Sequence, residues 1–157
     1  MRITLLTVGK TTDHYLLEGI DKYVQRLKHY VPFKMLELPE LKHTKSLSQE
    51  QQKAREATLI LKQLNPTDYL ILLDEQGKEM TSTYFSTFLN KKMVGAVQHL
   101  IFVIGGPYGF DSCVYSRANE RISLSKMTFS HQMVRLFFME QLYRAYTILK
   151  GEPYHHF

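Results

Sequence analysis

Two uninterrupted apolar runs constrain the fold of this chain more than any other feature. Asp68 to Asp74 reads DYLILLD, and Leu100 to Ile104 reads LIFVI. Neither run alternates between apolar and polar residues, which is typical of a parallel strand covered on both faces. Parallel strands are joined through helices that pack on the sheet, so we expect these two strands side by side in the middle of an α/β fold.

The segments around these runs alternate between strand and helix patterns. The order β-α-β-α-β-α-β-α-β-α, with no internal repeat, predicts one domain over residues 1–157 built as a parallel sheet flanked by helices. Further strands are expected at Arg2 to Val8, Phe33 to Leu38 and Arg121 to Leu124. Helices are expected after Asp13, after a capping box at Ser48 and Gln51, after Ser82, and from about Gln132 to Leu149.

Breaks between these elements are predicted from polar residues, Gly and Pro. Glu40 to Lys53 is the most polar segment and is expected to be a mobile loop. Asn65-Pro66 is expected to end the second helix, and Gln76-Gly77-Lys78 is expected to turn the chain after the third strand.

Composition limits the function classes. The chain has 20 Lys and Arg against 15 Asp and Glu, a net charge of +5, which is a modest bias towards polyanions. Cys113 is the single cysteine, so neither an internal disulfide nor a cysteine zinc site is expected, in agreement with a reducing compartment. No apolar stretch reaches 18 residues, and neither signal peptide nor membrane span is expected. We therefore predict a cytoplasmic protein without metal.

Glycines follow one of the apolar strands directly. Gly105, Gly106 and Gly109 come after Ile104, and a second strand exit at Leu124-Ser125 lies close by in sequence. A glycine has no Cβ to keep a ligand away from the backbone, and parallel sheets bind ligands at the carboxyl ends of their strands. These exits, together with Leu73-Asp74, predict a binding site held largely by main chain.

The last helix is apolar around most of its circumference. Val134, Phe138, Leu142, Ala145 and Leu149 form one apolar arc, and further aromatic and aliphatic residues spread over the rest. Such a helix needs cover nearly all round, and a sheet covers one side only. A second copy of the chain is the expected cover for the other side, in preference to an unusually apolar core helix.

Three familiar motifs do not fit. Gly9-Lys10-Thr11 resembles the end of a phosphate-binding loop, but Thr4 occupies the position of its first glycine. Ile104 occupies the first glycine position of a dinucleotide fingerprint at Gly105-Gly106, which argues against NAD. No G-x-S-x-G elbow accompanies His131, so a serine hydrolase is not expected either.

Glu140, Arg144 and the residues after Pro153 allow two readings. Glu140 and Arg144, four residues apart on one helix, would ordinarily be a surface ion pair, and the tail would ordinarily be a frayed end. Tyr154 and His155 are also suitable for stacking a base and handling a proton. The residues alone favour the frayed end.

Several short motifs together cover most of the chain. They are Val8-Gly9-Lys10, Leu73-Asp74 with Gly77, Ile104-Gly105-Gly106-Pro107-x-Gly109, Leu124-Ser125-x-Met127-Thr128-Phe129-x-His131-x-Met133-x-Arg135, Tyr143-Arg144-Ala145 and Pro153-Tyr154-His155.

In this combination the chain resembles the SPOUT-class bacterial methyltransferases that modify N3 of a pseudouridine in 23S ribosomal RNA. The resemblance implies a deep trefoil knot in about residues 68–157, and S-adenosylmethionine bound in a bent shape among the knot loops. Topology rules alone predict an unknotted sheet, so the knot comes from the resemblance only. By position the cofactor would be held by Leu73, Gly105, Gly106, Leu124, Ser125, Lys126, Met127, Thr128 and Phe129.

The resemblance also implies a homodimer that acts on the assembled ribosome, at a stem-loop facing the small subunit. Arg144 would stabilise negative charge on the base, Tyr154 would orient the base, His155 would accept its proton, and Glu140 would orient Arg144. RNA contacts would come from scattered cations. The candidates, each of which is more often a solvated surface charge than an RNA contact, are Lys91, Lys92, Arg117, Arg121, Lys126 and Arg135.

One departure and two alternatives complete the interpretation. Where the family often has a basic residue after Tyr-His, this chain has His156 and an additional Phe157, which predicts a weaker, pH-sensitive phosphate contact. The alternatives are a non-catalytic ribosome- or RNA-binding module with the same knot, and a doubly wound enzyme for another small ligand. Intact loop and tail residues argue against the first, and missing phosphate fingerprints against the second.

Overall fold

The computed structural model of the protein describes residues 1–157, which form five strands and five α-helices in strict alternation. A short 3-10 helix, Thr44–Ser46, lies in the polar segment before the second α-helix. The elements are β1 (Arg2–Val8), α1 (His14–Leu27), β2 (Phe33–Leu38), α2 (Gln49–Lys62), β3 (Tyr69–Glu79), α3 (Ser82–Val94), β4 (His99–Ile104), α4 (Ser112–Arg117), β5 (Glu120–Ser123) and α5 (Met133–Leu149).

All five strands belong to one parallel sheet in the order β2-β1-β4-β3-β5. The two apolar runs are neighbours, with Leu70 opposite Ile101 and Leu72 opposite Val103. These strands are buried on both faces, as their composition predicts. The α/β class and the central position of β3 and β4 are therefore confirmed, whereas the trefoil knot stays a prediction.

Each face of the sheet carries its own apolar core. The larger core packs α1, α3 and α5 against side chains such as Leu5 and Phe102, and the smaller packs α2 and α4 against Leu6 and Val103. Alternate residues of one strand thus serve opposite cores. None of the helices combines the length and the apolar character needed to cross a membrane.

Four local predictions are corrected by the structure. Residues 76–78 do not turn the chain, because β3 continues to Glu79 through a register shift between Leu73 and Lys78. A Cβ on Gly77 would lie 2.6 Å from the carbonyl carbon of Ile122, so glycine is needed for β3 to lie against β5. The N-cap of α3 is Thr81, not Ser82, because its hydroxyl accepts from the Tyr84 amide.

The other two corrections concern the helices α1 and α2. The side chain of Asp13 makes no capping hydrogen bond to α1, although this residue does precede the helix. The α2 helix begins at Gln49 with the predicted capping box between Ser48 and Gln51, so residues 49–53 of the expected loop are helical. It ends at Lys62, before Asn65-Pro66.

The α5 helix has more cover within its own chain than the sequence indicates. It packs against both α1 and α3 as well as the sheet, and Phe138, Met139, Leu142 and Ala145 are fully buried. The expectation that the chain itself would cover only one side of α5 is wrong, because α1 and α3 also pack against this helix. Phe137 remains 42% exposed on its outer surface.

Arg135 joins α5 to the end of β1. Its side chain has no exposed surface and donates to the carbonyl oxygens of Val8 and Gly9, each at 3.0 Å, and to the Thr11 hydroxyl at 2.9 Å. It also lies 3.3 Å from a carboxylate oxygen of Glu37. A charged residue predicted as an RNA contact is therefore a buried structural residue, because its charge and donors are satisfied inside the protein.

We expect Arg135→Met to lower the free energy of unfolding by about 3 kcal/mol, because the carbonyl oxygens of Val8 and Gly9 lose this buried donor and Glu37 loses its ion-pair partner. Urea denaturation of this variant and of Lys150→Met, an exposed residue just after the same helix, measures the difference. A loss below about 1 kcal/mol, the worth of an ordinary exposed ion pair, would contradict the structural role.

Candidate active site

A cleft of about 510 Å³ opens at the carboxyl ends of β4 and β5, beside the register shift that follows Leu73 in β3. We call it the strand-end cleft. It is lined by three chain segments: residues 73–76 of β3, residues 104–110 at and after the end of β4, and residues 123–125 and 127–131 at and after the end of β5. Tyr115 and Val134 also contribute. Predicted cofactor residues in its walls are Leu73, Gly105, Gly106, Leu124, Ser125, Met127, Thr128 and Phe129.

Lys126 is the one predicted cofactor residue that does not line the strand-end cleft. Its side chain is 88% exposed and its ammonium lies 3.8 Å from Glu79. The neighbouring residues keep the segment folded towards the cleft, since the Met127 amide donates to the Ser125 hydroxyl and the Ser123 hydroxyl donates to the Ser125 carbonyl. Only main-chain groups of Lys126 remain suitable for holding a ligand.

The glycines after β4 serve three different purposes. We call residues 105–109 the glycine loop. A Cβ on Gly105 would lie 3.0 Å from the Phe110 ring, and a Cβ on Gly106 would lie 2.6 Å from a carboxyl oxygen of Glu56. Gly109 has φ of +82°, which only glycine adopts without strain. The loop can therefore lie flat against the protein while its backbone forms the cleft wall.

Asp74 and Tyr115 form a polar pair in the strand-end cleft. The Tyr115 hydroxyl donates to one carboxylate oxygen of Asp74 at 2.5 Å, and the Gln76 amide donates to the other at 3.0 Å. Burial, followed by the bond to Asp74, raises the pKa of Tyr115 to about 12. Tyr115 was missed from the sequence, because a tyrosine on a short helix carries no signal that it faces a strand end.

A second depression of about 690 Å³, the helix groove, lies between α1, α3 and α5. Glu140 and Arg144 line it, together with Tyr23 and Phe137. The helix groove and the strand-end cleft have Ser123, Leu124 and Phe129 as common wall residues. The sites predicted for cofactor and for catalysis are thus adjacent in one chain, separated by the segment after β5.

Glu140, Arg144, Tyr154 and His155 lie together in the structure. Arg144 donates to Oε1 of Glu140 through Nε at 3.1 Å and through a terminal nitrogen at 2.5 Å, and its other terminal nitrogen lies 3.1 Å from Nδ1 of His155. The Tyr154 hydroxyl donates to the same Glu140 oxygen at 3.0 Å. The tail is therefore bound to α5, and the prediction of a frayed end is wrong.

Tyr154 is held on several sides. Its hydroxyl lies 3.3 Å from that of Tyr23, the Arg144 guanidinium carbon lies 4.8 Å from its ring centroid, and Tyr143 packs edge-on at 4.8 Å. Because the Tyr154 proton points at Glu140, Tyr23 must donate to Tyr154. Burial raises the pKa of Tyr154, and the bonds to Tyr23 and Glu140 raise it further, so Tyr154 is a neutral donor.

Three of the six cations considered as RNA contacts use their side chains in hydrogen bonds within the chain. Besides the buried Arg135, Lys92 lies 2.8 Å from Glu120 and 3.0 Å from the Tyr69 hydroxyl. Arg117 donates to the main-chain oxygens of Asn65 and Asp68. These side chains stabilise the fold, which makes them poor candidates for binding phosphates. The structure contains no group of three or more His, Cys, Asp or Glu side chains arranged to hold a metal ion.

Comparison with known proteins matches the sequence to one family. Residues 1–155 match the family described as "Predicted SPOUT methyltransferase". The chain belongs to the SPOUT methyltransferase family. Among relatives named "Ribosomal RNA large subunit methyltransferase H", those of Parabacteroides distasonis and Cytophaga hutchinsonii are each 59% identical and that of Bacteroides thetaiotaomicron is 56% identical. Each comparison covers 99% of this chain and at least 99% of the relative.

For this SPOUT methyltransferase we expect neutral His155 to carry its hydrogen on Nε2. A guanidinium has no acceptor, so Nδ1 can contact Arg144 only through its lone pair. Nitrogen NMR of labelled protein distinguishes the two tautomers, with His155→Asn used to assign the signal and His156 as an internal reference. A hydrogen on Nδ1 in neutral His155 would mean that the contact with Arg144 is absent in solution.

Proposed function

We propose that the protein uses S-adenosylmethionine to methylate N3 of a pseudouridine in the intersubunit stem-loop of 23S ribosomal RNA, acting as a cytoplasmic homodimer on the assembled ribosome. The observation that carries this proposal is the strand-end cleft, which brings together residues from three distant segments that the resemblance assigns to the cofactor. The name of the 54–59% identical relatives supports ribosomal RNA as the substrate.

The strand-end cleft suits S-adenosylmethionine. Leu73, Leu124 and Phe129 supply apolar surface for an adenine ring, while the glycine loop and residues 125–128 supply main-chain donors and acceptors. The carboxylate of Asp74 gives the cleft a negative group, which complements a ligand carrying a sulfonium and an ammonium. A trefoil knot in residues 68–157 belongs to this proposal, since the cleft walls would be its loops.

S-adenosylmethionine supplies an activated methyl group that a nucleophile must approach in line with the carbon–sulfur bond. Positioning the nucleophile is therefore the main contribution available to the protein. N3 of a pseudouridine carries an imide proton at neutral pH. If its pKa lies about 2 units above the ambient pH, ionising N3 costs about 2.7 kcal/mol, which a nearby cation or base offsets.

Arg144 is the proposed cation. Of the five N–H groups of a guanidinium, two are directed at Glu140 and one at His155, so two remain for carbonyl oxygens of the base. Glu140 fixes the orientation of Arg144 and accepts from Tyr154 at the same oxygen, which makes it a poor base. Glu140 therefore acts as a positioning residue.

Tyr154 and His155 are proposed to orient the base and to take its proton. The Tyr154 ring contacts Arg144 on one side, so a base bound to Arg144 lies against the same aromatic cluster. With the Arg144 contact in place, Nδ1 of His155 is occupied and Nε2 carries hydrogen. Proton uptake by His155 therefore needs this contact to be replaced when substrate binds, directly or through a water molecule.

A homodimer is supported by the exposed apolar surface beside these residues. Leu17 and Tyr15 of α1 are 40% and 60% exposed, and Phe137 of α5 is 42% exposed. The helix groove between these helices has both apolar and polar residues in its walls and holds Arg144. A second copy covering this surface would bring its own cofactor towards Arg144, so the dimer would complete the active site.

We expect calorimetric titration with S-adenosylmethionine to give saturable binding, and labelled methyl to transfer to whole ribosomes in preference to free 23S RNA.

Arg144→Ala removes charge stabilisation during methyl transfer, so kcat should fall on the order of 10²- to 10³-fold while the cofactor Kd stays unchanged. His155→Ala should also lose turnover and keep cofactor affinity. Lys150→Ala, just after the helix that carries Arg144, serves as a control for removal of a cation.

Each outcome distinguishes one part of this proposal. Absence of heat at high protein concentration would exclude the methyltransferase. Binding without any transfer would favour a non-catalytic ribosome-binding module, and equal labelling of ribosomes and free RNA would exclude recognition of the assembled ribosome.

We expect Phe137→Asp to convert the dimer to a monomer, because it puts a charge into the apolar surface that the second copy would cover. Analytical ultracentrifugation measures the molecular mass, and Val94→Asp, at a 78% exposed residue of α3, is the matched control. A wild-type protein that sediments as a monomer at micromolar concentration would contradict the dimer.

A further inference from the structure

Glu56 is a buried acid that the proposed chemistry does not use. It lies on the inner face of α2 and is only 4% exposed. Its Oε2 accepts from the side-chain amide of Gln52 at 3.3 Å, and its Oε1 has no hydrogen-bond partner. No other buried side-chain nitrogen or oxygen in the chain lacks a partner. An isolated unsatisfied group of this kind needs a physical explanation.

The carboxyl group of Glu56 lies directly behind the glycine loop. A Cβ on Gly106 would lie 2.6 Å from Oε2 and 2.8 Å from Oε1, so any side chain at residue 106 would have to displace the Glu56 carboxyl group. Gly105 and Gly106 also form part of the strand-end cleft wall. Glu56 thus contacts the outer side of a loop whose inner side faces the proposed cofactor.

Glu56 is best described as a neutral carboxylic acid. It is 4% exposed and forms no ion pair, and a buried carboxylate without a compensating charge is strongly unfavourable. Burial correspondingly raises the pKa of Glu56 above its ordinary value. Because Gln52 donates to Oε2, the proton belongs on Oε1. The unpartnered atom is then a hydrogen-bond donor beside a loop that carries backbone carbonyl oxygens.

We propose that Glu56 is a positioning residue for the glycine loop, and that its Oε1–H donates to a backbone carbonyl of residues 105–108 when the methyl donor is bound. The inference rests on the proposed function, because it concerns how the cofactor site is held. Glu56 does not contact the cofactor. It fixes the loop from behind, and the open hydrogen bond is formed only in the bound state.

This arrangement lowers the stability of the cofactor-free protein and raises its affinity for the cofactor. A buried donor without an acceptor destabilises the cofactor-free protein, so an apolar side chain of similar shape should stabilise it. The same substitution removes the bond that holds the loop on the ligand. Stability and cofactor affinity should therefore change in opposite directions at this one residue.

The experiment compares Glu56→Gln with Glu56→Met by titration with S-adenosylhomocysteine. Glutamine keeps both an acceptor and a donor in the same shape, so its Kd should stay within about twofold of wild type. Methionine has neither, so its Kd should rise roughly tenfold, the effect of losing one hydrogen bond. The unfolding midpoint of the cofactor-free Met variant should rise by roughly 2–4 °C. Glu50→Met, at an 80% exposed side chain on the same helix, should change neither quantity.

Hydrogen exchange of residues 105–109 gives a readout independent of affinity. Adding S-adenosylhomocysteine should protect these amides in wild type and Glu56→Gln, and protect them less in Glu56→Met. An unchanged Kd and equal protection in the Met variant would overturn the positioning role while leaving the methyltransferase proposal intact. Equal weakening in Gln and Met would overturn the neutral acid. Failure of the wild type itself to bind would overturn the proposed function, and this inference with it.

Discussion

The hydrogen bonds of the buried Arg135 guanidinium are the interactions on which the geometry of this protein depends most. Arg135 binds carbonyl oxygens at the end of β1, a strand inside the sheet, while its own backbone belongs to the first turn of α5. The same helix carries Glu140 and Arg144, and the tail after it carries Tyr154 and His155. Fixing the start of α5 relative to the strand ends therefore fixes the catalytic candidates relative to the strand-end cleft. A carbonyl oxygen accepts strongly only along certain directions, so several such bonds to one rigid planar group define an orientation as well as a contact.

Much of the fold follows from patterns that depend on local sequence. The apolar runs of β3 and β4 identify the centre of the sheet, because only strands covered on both faces lack polar residues. The parallel arrangement then brings the strand ends to one edge, which is why most of the predicted cofactor residues do line one cleft. The Ser48 capping box is predictable for the same reason, since its partners are three residues apart.

Features that depend on distant contacts were not predictable. Arg135 has the composition of a surface residue, and its burial depends on acceptors more than 120 positions away in sequence. Tyr23 and Tyr154 meet across 131 positions, and no local pattern marks either as the partner of the other. The flanking of α5 by α1 and α3 likewise depends on tertiary packing. The glycine loop does line the strand-end cleft, but the approach of Gly106 to Glu56 joins residues 50 positions apart and could not be read from the sequence.

Arg135 and Glu56 are both buried, but they differ in how many of their polar atoms have hydrogen-bond partners. This difference distinguishes a residue that stabilises the fold from one that we propose serves the cofactor site. Arg135 has partners for its charge and its donors, so moving the surrounding chain would break several bonds at once, and its surroundings are rigid. Glu56 has one partner and one free oxygen, so its surroundings retain a bond still to be formed. Burial without a partner is unfavourable, and a folded chain retains such a group only if the fold is stable enough without it. In this protein Arg135, whose hydrogen bonds are all formed, lies where α5 must stay fixed against the sheet. Glu56, which has one partner only, lies against the glycine loop, which would respond to a ligand.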